Sequence, residues 1–519
     1  MKNIKVSSNG LKINFVVNDD NRIFLNYFGS CRKNFLRNNL NPEVYRFIEV
    51  RVSGEDQNEH HGVKYVHTHY GDTCKYVSYR KTTNNKGQLL TIKTRNESLE
   101  VLSYFQFYSD SKSVNVYNIV KNISNEDKYI EFISSFYLSS FGISGEPIKP
   151  LFLHEAYCSW HCEAQWVSNN FNHIGLYAGN NNISIKKYEI NNTGTWSTKE
   201  HLPMSIVENK SLKLCVLTQV ENNGSWHIEL GDKASSFYLS ASGPTFINNG
   251  WCIKLAPGES FESVKVSASL GSDFEESIQE ITKVRRANRR PSIDDEELPI
   301  IYNDYMHGLW DTQTTDLILP MVDMASSVGC EEFCIDAGWF AEGSQWWPII
   351  GEWKEYEPNF PNGGLKAVID YIHSKGMKAG IWYEIEAMGA DCEFANSLPD
   401  DWFFVINGKR VVNHHRYQLD FSNPEVYKWA MDVVSNAIDK YGLDYIKNDY
   451  NTDGGIGTEI NSTSFGDGAL RHSRAFSKWL EELMDKYPNL TIENCGSGGC
   501  RMDYEMLRLC PIQSTSDQT

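Results

Sequence analysis

The sequence changes its hydrophobic period near Pro299, and this change constrains the fold more than any other feature. Before it, β-branched and aromatic segments such as Leu11–Val17, Val101–Ser109 and Phe132–Phe141 recur between turns rich in Asn, Gly and Asp. That spacing is typical of an antiparallel sandwich. After it, strand-length apolar segments alternate with segments of helical period, which predicts a parallel sheet. We therefore predict a multidomain protein with a β part followed by an α/β part.

The same change sets the predicted domain boundaries. We expect an N-terminal antiparallel β-sandwich over residues 1–282, a linker of mixed charge over 283–299 and a catalytic (β/α)8 TIM-type barrel over 300–519. Six barrel strands are predicted where this fold needs eight, so we expect the barrel to be truncated, with its C-terminal part missing. The predicted strands are Ile300–Asn303, Phe333–Asp336, Lys378–Glu384, Leu443–Lys447, Leu490–Glu493 and Pro511–Ser514, and the helices are Thr314–Val328, Gly364–Lys375, Pro424–Tyr441 and Gly468–Lys486.

Composition excludes several classes of partner. A net charge of −18 over 519 residues argues against nucleic acid and anionic membranes, because both need a basic surface. The N-terminus lacks the apolar run of a signal peptide and no segment has the length of a membrane span, so we expect a cytoplasmic protein with reduced thiols. The twelve cysteines follow neither a disulfide-scaffold nor a zinc-finger spacing.

One cluster of residue types raises the question of a metal. His154, Cys158, His161 and Cys162 have side chains that bind zinc, but their spacing matches no standard zinc finger. We therefore predict neither a metal nor another cofactor. Trp160, inside this cluster, is expected to be a core residue; the alternative is contact with a site at a subunit edge.

Polar side chains follow each of the predicted barrel strands. The stretch Tyr441–Gly455 ends a buried strand on Lys447 and Asp449, and the last strand is followed by Asp517. Barrel enzymes keep their chemistry at the C-terminal ends of the strands. Two carboxylates that approach from different strands have the arrangement of a glycosidase pair.

The same stretch contains a rival motif. Residues Asp449–Gly454 (DYNTDG) copy the first half of an EF-hand calcium loop. The twelfth position should be Glu but is Ile460, and a strand rather than a helix precedes the loop. We therefore favour the carboxylate pair over calcium.

Five segments together resemble glycoside hydrolase family 36, the melibiase-like α-galactosidases and α-N-acetylgalactosaminidases. They are IDAGWF, GEWKEYEPNFPNGGLK, YIKNDYN, IENCGSGGCRMD and QSTSDQT, in matching order over residues 300–519. The resemblance implies a retaining exo-α-glycosidase that cleaves terminal α-D-galactosyl residues from an oligosaccharide or glycoconjugate, with a homo-oligomer as one option for its assembly. By position it implies Asp449 as nucleophile and Asp517 as general acid/base. The implied substrate-binding residues are Asp336, Trp382, Arg416, Lys447, Cys495 and Ser497, with Cys495 and Ser497 near the sugar's 2-position.

Three positions depart from the family's pattern. The paired aspartates after the second barrel strand are here Asp336 and Ala337, and two expected tryptophans are replaced by Tyr305 and Asn448. These changes leave α-galactoside and α-N-acetylgalactosaminide both open as substrates. A galactosyl transferase and a non-catalytic galactose-binding protein are further alternatives.

The two carboxyl groups need different pKa values for this chemistry. Lys447 should keep the pKa of Asp449 low, so that the nucleophile is ionised. The pKa of Asp517 should be raised by burial or by the other carboxylate, so that it can donate a proton. A retaining mechanism also predicts carboxyl groups roughly 5–5.5 Å apart.

Overall fold

The computed structural model describes residues 1–37, 44–57, 63–143, 149–177, 185–233 and 236–518, without the side chains of Ile143, Ser344 and Gln345. The chain forms two compact units. The first comprises residues 1–158, 164–193 and 200–288, and the second 159–163, 194–199 and 289–519. Two short segments of the N-terminal half thus belong to the second unit, which the sequence did not indicate. None of the described helices has both the length and the apolar character needed to cross a membrane.

The first unit consists mainly of antiparallel strands. In chain order these strands are β1 Lys2–Ser8, β2 Leu11–Val17, β3 Ile23–Ser30, β4 Val50–Val52, β5 Lys75–Thr83, β6 Gln88–Arg95, β7 Leu99–Phe107, β8 Ser113–Asn122, β9 Lys128–Ile133, β10 Phe136–Ile143, β11 Leu151–Tyr157, β12 Gln165–Asn170, β13 Lys187–Asn192, β14 His201–Asn209, β15 Leu214–Glu221, β16 Trp226–Lys233, β17 Ser236–Ser242, β18 Ile253–Leu255, β19 Ser260–Glu262 and β20 Lys265–Gly271. Its helices are α1 His69–Thr73, α2 Phe246–Asn249 and α3 Phe274–Asn288.

A ten-stranded sheet is the largest element of this unit. Its order is β12-β11-β14-β15-β20-β8-β7-β6-β5, with β19 paired to β8. Burial alternates along β7, where every second residue from Leu99 to Phe107 is buried, as expected for a strand that packs one face on a core. A four-stranded sheet, β10-β17-β16-β13, lies against it, because β17 contacts both β15 and β20.

The predicted strand Phe132–Phe141 is wrong as a single element. It is two strands, β9 and β10, which belong to different sheets. Ser134 and Ser135 separate them: the Ser134 backbone N–H donates to the carbonyl of Glu49, and the Ser135 hydroxyl donates to the carbonyl of Val264. The chain can change sheets here because these bonds satisfy polar groups that would otherwise need a continuing strand.

The second unit alternates strands with helices. Its strands are β21 Ile301–Asn303, β22 Glu332–Ile335, β23 Lys378–Tyr383, β24 Ala387–Gly389, β25 Val405–Ile406, β26 Lys409–Arg410, β27 Val412–Asn413, β28 Arg416–Gln418, β29 Tyr445–Asn448, β30 Thr491–Asn494 and β31 Ile512–Gln513. Its α-helices are α4 Asp294–Glu297, α5 Thr315–Ser327, α6 Gly364–Ser374, α7 Glu393–Ser397, α8 Pro424–Tyr441, α9 Phe465–Lys486 and α10 Tyr504–Leu507. Shorter helical turns cover Tyr305–Leu309, Gly343–Ile349, Glu357–Asn359 and Asp400–Trp402.

A parallel six-stranded sheet organises this unit, in the sequential order β21-β22-β23-β29-β30-β31. The six predicted strands and four predicted helices are confirmed to within a few residues. Helix α8 shows why the sequence signals were clear. The Asn423 side chain caps its N-terminus and Pro424 follows at the first helical position, while Gly442 ends it with φ 75°. The polar residues that follow these parallel strands therefore share one edge of the sheet.

Candidate active site

A cavity of about 400 Å³ lies within the second unit. Its volume is in the range of small-ligand sites. Aromatic side chains form much of its wall, and charged groups of both signs reach it. The lining residues are Trp160, Trp196, Tyr305, Met306, Asp336, Ala337, Trp346, Trp347, Trp382, His414, Lys447, Asp449, Asn451, Ser497, Cys500 and Asp517.

Asp449 follows β29 directly and is 8% exposed. One carboxyl oxygen, Oδ1, accepts the backbone N–H of Tyr450 at 2.8 Å, and Oδ2 accepts Trp382 Nε1 at 3.0 Å and Asn451 Nδ2 at 2.9 Å. Burial alone would raise the pKa of Asp449, but the Lys447 charge and hydrogen bonds from Cys495, Asn451 and Trp382 lower it below its ordinary value. The side chain is therefore held as an oriented carboxylate.

Lys447 lies in β29, two residues before Asp449, and pairs with Asp336. Its Nζ lies 2.8 Å from Asp336 Oδ2, and their side chains are 15% and 3% exposed. Burial opposes the charge on Lys447, but the carboxylates of Asp336 and other acids raise its pKa well above the ordinary value. Asn303 also donates to Asp336 Oδ2. The ends of β21, β22 and β29 thus supply a fixed group of donors and acceptors at the cavity.

Asp517 follows β31 and is more open to solvent than Asp449. Burial, and then the negative charge of Asp449, raise the pKa of Asp517 above its ordinary value. A hydrogen bond from Trp160 and the charges of Lys447 and His161 act in the opposite direction. The cavity therefore holds one carboxyl group with a lowered pKa and one with a raised pKa. Thr519, two residues on, lies outside the described residues.

Two tryptophans from the N-terminal half of the sequence belong to this unit and line the cavity. Trp160 Nε1 donates to Asp517 Oδ2 at 3.2 Å, and Trp196 Nε1 donates to the carbonyl of Tyr450 at 3.0 Å. The expectation that Trp160 is a core residue is wrong, because its surface is 58% exposed. The sequence did not predict this position of Trp160, because its hydrogen-bond partner, Asp517, is 357 residues away.

The structure separates the six predicted binding residues into two groups. Asp336, Trp382, Lys447 and Ser497 line the cavity, whereas Arg416 and Cys495 do not. Arg416 is fully buried, forms an ion pair with Glu384 and stacks on Trp347 with its guanidinium carbon 3.4 Å from the ring centre. Its charge is paired with Glu384 inside the protein, and its predicted contact with substrate stays a prediction.

Cys495 does not line the cavity either, and its predicted place near the sugar's 2-position stays a prediction. It is 1% exposed, and its thiol hydrogen-bonds Asp449. Its backbone N–H continues the β29–β30 ladder by donating to the carbonyl of Asn448 at 3.0 Å. The cysteine that lines the cavity is Cys500, from the same loop. A role for Ser497 in substrate binding stays a prediction.

Asn451 and Glu384 were not among the predicted site residues, although they support the nucleophile candidate. Asn451 Nδ2 donates to Asp449, its backbone N–H donates to Glu384 Oε1 at 2.8 Å, and its Oδ1 accepts the Ser497 hydroxyl at 2.5 Å. Glu384 is fully buried, and burial raises its pKa to about 7 against the effect of Arg416. Both residues could have been found from the sequence, because Glu384 follows β23 and Asn451 follows β29, where polar residues collect.

Two places could hold a cation by residue type. In the loop Asp449–Gly454 the carboxylates accept N–H groups: Asp453 Oδ1 accepts the backbone N–H of Thr195 at 3.0 Å and of Gly455 at 3.1 Å. In the first unit, ligand atoms of Glu189, His227 and Glu229 lie within 4.8 Å of one another. The ammonium of Lys187 contacts both of those glutamates, at 2.5 and 3.2 Å, so a built-in cation already balances this cluster.

Comparison with known proteins gives one family. The family model described as melibiase matches residues 260–519. The α-galactosidase Mel36A of Lactobacillus acidophilus is 26% identical over 270 residues, which is 51% of this chain and 37% of that protein. The bifunctional α-galactosidase/sucrose kinase AgaSK of Mediterraneibacter gnavus is 29% identical over 268 residues, which is 51% of this chain and 28% of that protein. The chain thus matches well under half the length of these relatives.

The solved structure of the family 36 α-galactosidase AgaA from Geobacillus stearothermophilus is also similar. It superimposes with a TM-score of 0.83 at 17% identity, over 99% of this chain and 75% of that one. A variant of the same enzyme, solved in complex with raffinose, gives 0.82 at 16% identity over the same shares. This similarity shows a shared multidomain fold with a TIM-type catalytic domain, of which the six-stranded sheet is a curled half-barrel.

Proposed function

Since the chain belongs to the melibiase family, we propose that it is a retaining α-galactosidase in which Asp449 is the nucleophile and Asp517 the general acid/base. One observation carries this proposal: a single cavity contains two carboxyl groups whose pKa values are shifted in opposite directions. Groups of one type with divergent pKa values are what acid and nucleophile roles require at one pH.

The first half of the reaction forms a covalent ester. The Asp449 carboxylate attacks the anomeric carbon, and the bond to the leaving-group oxygen breaks as Asp517 gives that oxygen its proton. Lys447 lowers the pKa of Asp449, which keeps the nucleophile ionised. The raised pKa of Asp517 keeps a larger fraction of that group protonated near neutral pH.

The second half of the reaction returns the enzyme to its starting state. Asp517, now ionised, takes a proton from water as the water oxygen bonds to the anomeric carbon, and the ester to Asp449 breaks. Two displacements at the same carbon give a sugar of retained configuration. The two steps together consume one glycoside and one water, and they release the sugar and the leaving-group alcohol.

We propose that the sugar is an α-D-galactosyl residue held between the aromatic wall and the Lys447–Asp336 pair. Trp382, Trp346 and Tyr305 offer apolar faces for the sugar ring, while Lys447 and Asp336 offer a donor and an acceptor for its hydroxyl groups. The matched relatives are named as α-galactosidases, and raffinose is the ligand in the similar AgaA complex. These names support an oligosaccharide with a terminal α-galactose as the substrate of this chain.

Hydrolysis of two nitrophenyl glycosides tests this function. Purified protein should release nitrophenol from 4-nitrophenyl α-galactoside far faster than from its 2-acetamido analogue. Proton NMR of the first sugar formed should show the α-anomer before mutarotation. Faster cleavage of the 2-acetamido compound would transfer the proposal to an α-N-acetylgalactosaminidase, and galactose binding without any cleavage would refute both.

We also propose that the ten- and four-stranded sheets form the β-sandwich expected from the sequence. Contacts of β17 with β15 and β20 support this arrangement, since strands of two facing sheets then share one core. Backbone amide exchange should show the slowest rates in β15, β17 and β20. Fast exchange in β17 with slow exchange in β15 would argue against a shared core.

A further inference from the structure

Trp160 is an exposed tryptophan held in one place by a tight turn. The backbone N–H of Ser159 donates to the carbonyl of Cys162 at 3.1 Å, and the N–H of Cys162 donates to the carbonyl of Ser159 at 2.8 Å. Trp160 and His161 form the tip of this turn, where His161 has φ 67°. The ring centres of Trp160 and His161 are 4.1 Å apart. An exposed indole fixed by the backbone and by a neighbouring ring calls for a role other than core packing.

The indole N–H of Trp160 donates to one oxygen of Asp517, Oδ2, at 3.2 Å. Among the described residues, the Asp517 carboxyl group accepts one hydrogen bond from a side chain, and it is this one. By contrast, the Asp449 carboxyl group accepts hydrogen bonds from three N–H groups and from the Cys495 thiol. Within the described part of the chain, the orientation of Asp517 therefore depends on one side-chain donor, and a segment distant in sequence supplies it.

We propose that Trp160 is a positioning residue for Asp517, which fixes Oδ2 and leaves Oδ1 to carry the proton given to the leaving group. This inference rests on the proposed function. An indole N–H can only donate a hydrogen bond. A proton on Oδ2 would point at the indole N–H and find no acceptor there. The contact therefore selects the protonated form whose O–H lies on Oδ1.

The same hydrogen bond sets how readily Asp517 changes between its two roles. A donor stabilises the carboxylate more than the neutral acid, because hydrogen bonds to an ionised group are the stronger ones. The groups that face Asp517 and act on its charge are Asp449, which raises its pKa, and Lys447 and His161, which lower it. Trp160 adds to the lowering, so it favours the ionised form that acts as base in the second displacement.

A competing role for Trp160 is an apolar wall for the substrate, since its ring lines the cavity. The two roles separate when the indole is replaced by a ring without an N–H. Trp160→Phe keeps an aromatic face and removes the donor. Trp196→Phe is a matched control, because it removes an indole N–H in the same cavity that bonds a backbone carbonyl instead of Asp517.

The kinetic test uses two galactosides that differ in their leaving groups. For Trp160→Phe we expect kcat/KM for raffinose to fall about tenfold, as for a lost hydrogen bond to a charged group. The value for 4-nitrophenyl α-galactoside should change much less, because nitrophenolate leaves without protonation. The alkaline limb of the raffinose kcat/KM profile should move upward, by about one pH unit at most. Trp196→Phe should leave that limb at its wild-type position.

Equal losses on both substrates with an unmoved alkaline limb would overturn the proposal and assign Trp160 to the cavity wall. A readout without turnover separates this proposal from the function itself. In protein labelled with ¹³C at the Asp carboxyl carbons, the Asp517 signal is assigned by its loss in Asp517→Asn. Its pKa should rise in Trp160→Phe and stay unchanged in Trp196→Phe. An unchanged pKa in Trp160→Phe refutes the positioning role, whereas a wild-type protein that cleaves no α-galactoside refutes the function.

Discussion

Asp449 and Asp517 share one cavity but have different neighbours. Asp449 is almost fully buried, yet the Lys447 charge and three N–H groups offset the cost of its own charge. Asp517 feels burial and the Asp449 charge, with Trp160 as its hydrogen-bond donor. The environment of each group, and not its residue type, assigns the two roles.

Replacing Asp517 by Ala should affect substrates according to their leaving groups. We expect kcat/KM for raffinose to fall by about 10²–10⁴, the contribution of general acid catalysis, because its fructosyl-glucose leaving group needs a proton. The first displacement with 4-nitrophenyl α-galactoside should be slowed much less. Pre-steady-state release of nitrophenol measures this step. A burst rate lowered as strongly as the raffinose rate would contradict the acid role.

Removing the Lys447 charge should move the acid limb of activity. Lys447 lowers the pKa of Asp449, so Lys447→Met should raise that pKa, and the nucleophile should then protonate at a higher pH. We expect the acid limb of kcat/KM for 4-nitrophenyl α-galactoside to move upward in Lys447→Met. Lys447→Arg keeps the positive charge and serves as the control. An acid limb that stays in place in Lys447→Met, at any overall rate, would show that the Lys447 charge does not hold Asp449 ionised.

At the scale of elements, strand ends and loops bring the charged groups together. Glu384 follows β23 and receives the Asn451 backbone N–H from the loop after β29. On its other side it pairs with Arg416 at the start of β28, and both side chains are fully buried. This pair therefore connects the nucleophile loop to the small β24–β28 sheet.

Breaking the Glu384–Arg416 pair should destabilise the fold. Arg416→Met leaves a buried carboxylate without its partner, and a buried pair broken on one side costs about 3–5 kcal/mol of unfolding free energy. The double variant Glu384→Gln with Arg416→Met should recover part of that loss. Lys428→Met, which breaks the exposed Lys428–Asp432 pair, should leave the thermal midpoint unchanged, since solvent screens that pair. A midpoint for Arg416→Met equal to wild type would contradict the account.

At the scale of the whole molecule, local sequence patterns predicted the helices and strands of the second unit. They did not predict contacts between side chains that are far apart in the sequence. Helix α8 matches its predicted bounds because its caps and apolar period are local signals. Local patterns could not predict the surroundings of Arg416, Cys495 and Trp160, because partners 32, 46 and 357 residues away decide where their side chains lie. The predicted domain boundaries at 282 and 299 stay predictions, while helix α3 runs on to Asn288.

Asp304 should make stability depend on pH. Burial, with the charge of Asp336, raises the pKa of Asp304 from 3.8 to about 7. Its folded form thus binds a proton more tightly than its unfolded form. The resulting stability is full below pH 3.8 and is lost as pH rises through about 7. Asp304→Asn removes this contribution, so the thermal midpoint of wild type should fall more steeply between pH 5 and 8 than that of the variant. Parallel curves would refute the raised pKa.

The most direct test of the two-carboxylate account is to trap the covalent intermediate. Incubation with 5-fluoro-α-D-galactosyl fluoride, followed by protease digestion and tandem mass spectrometry, measures which side chain carries the sugar. We expect one fluorogalactosyl adduct per chain, on the Asp449 carboxylate and absent from Asp449→Ala. An adduct on another residue, or reagent turnover with inverted product and no adduct, would contradict it.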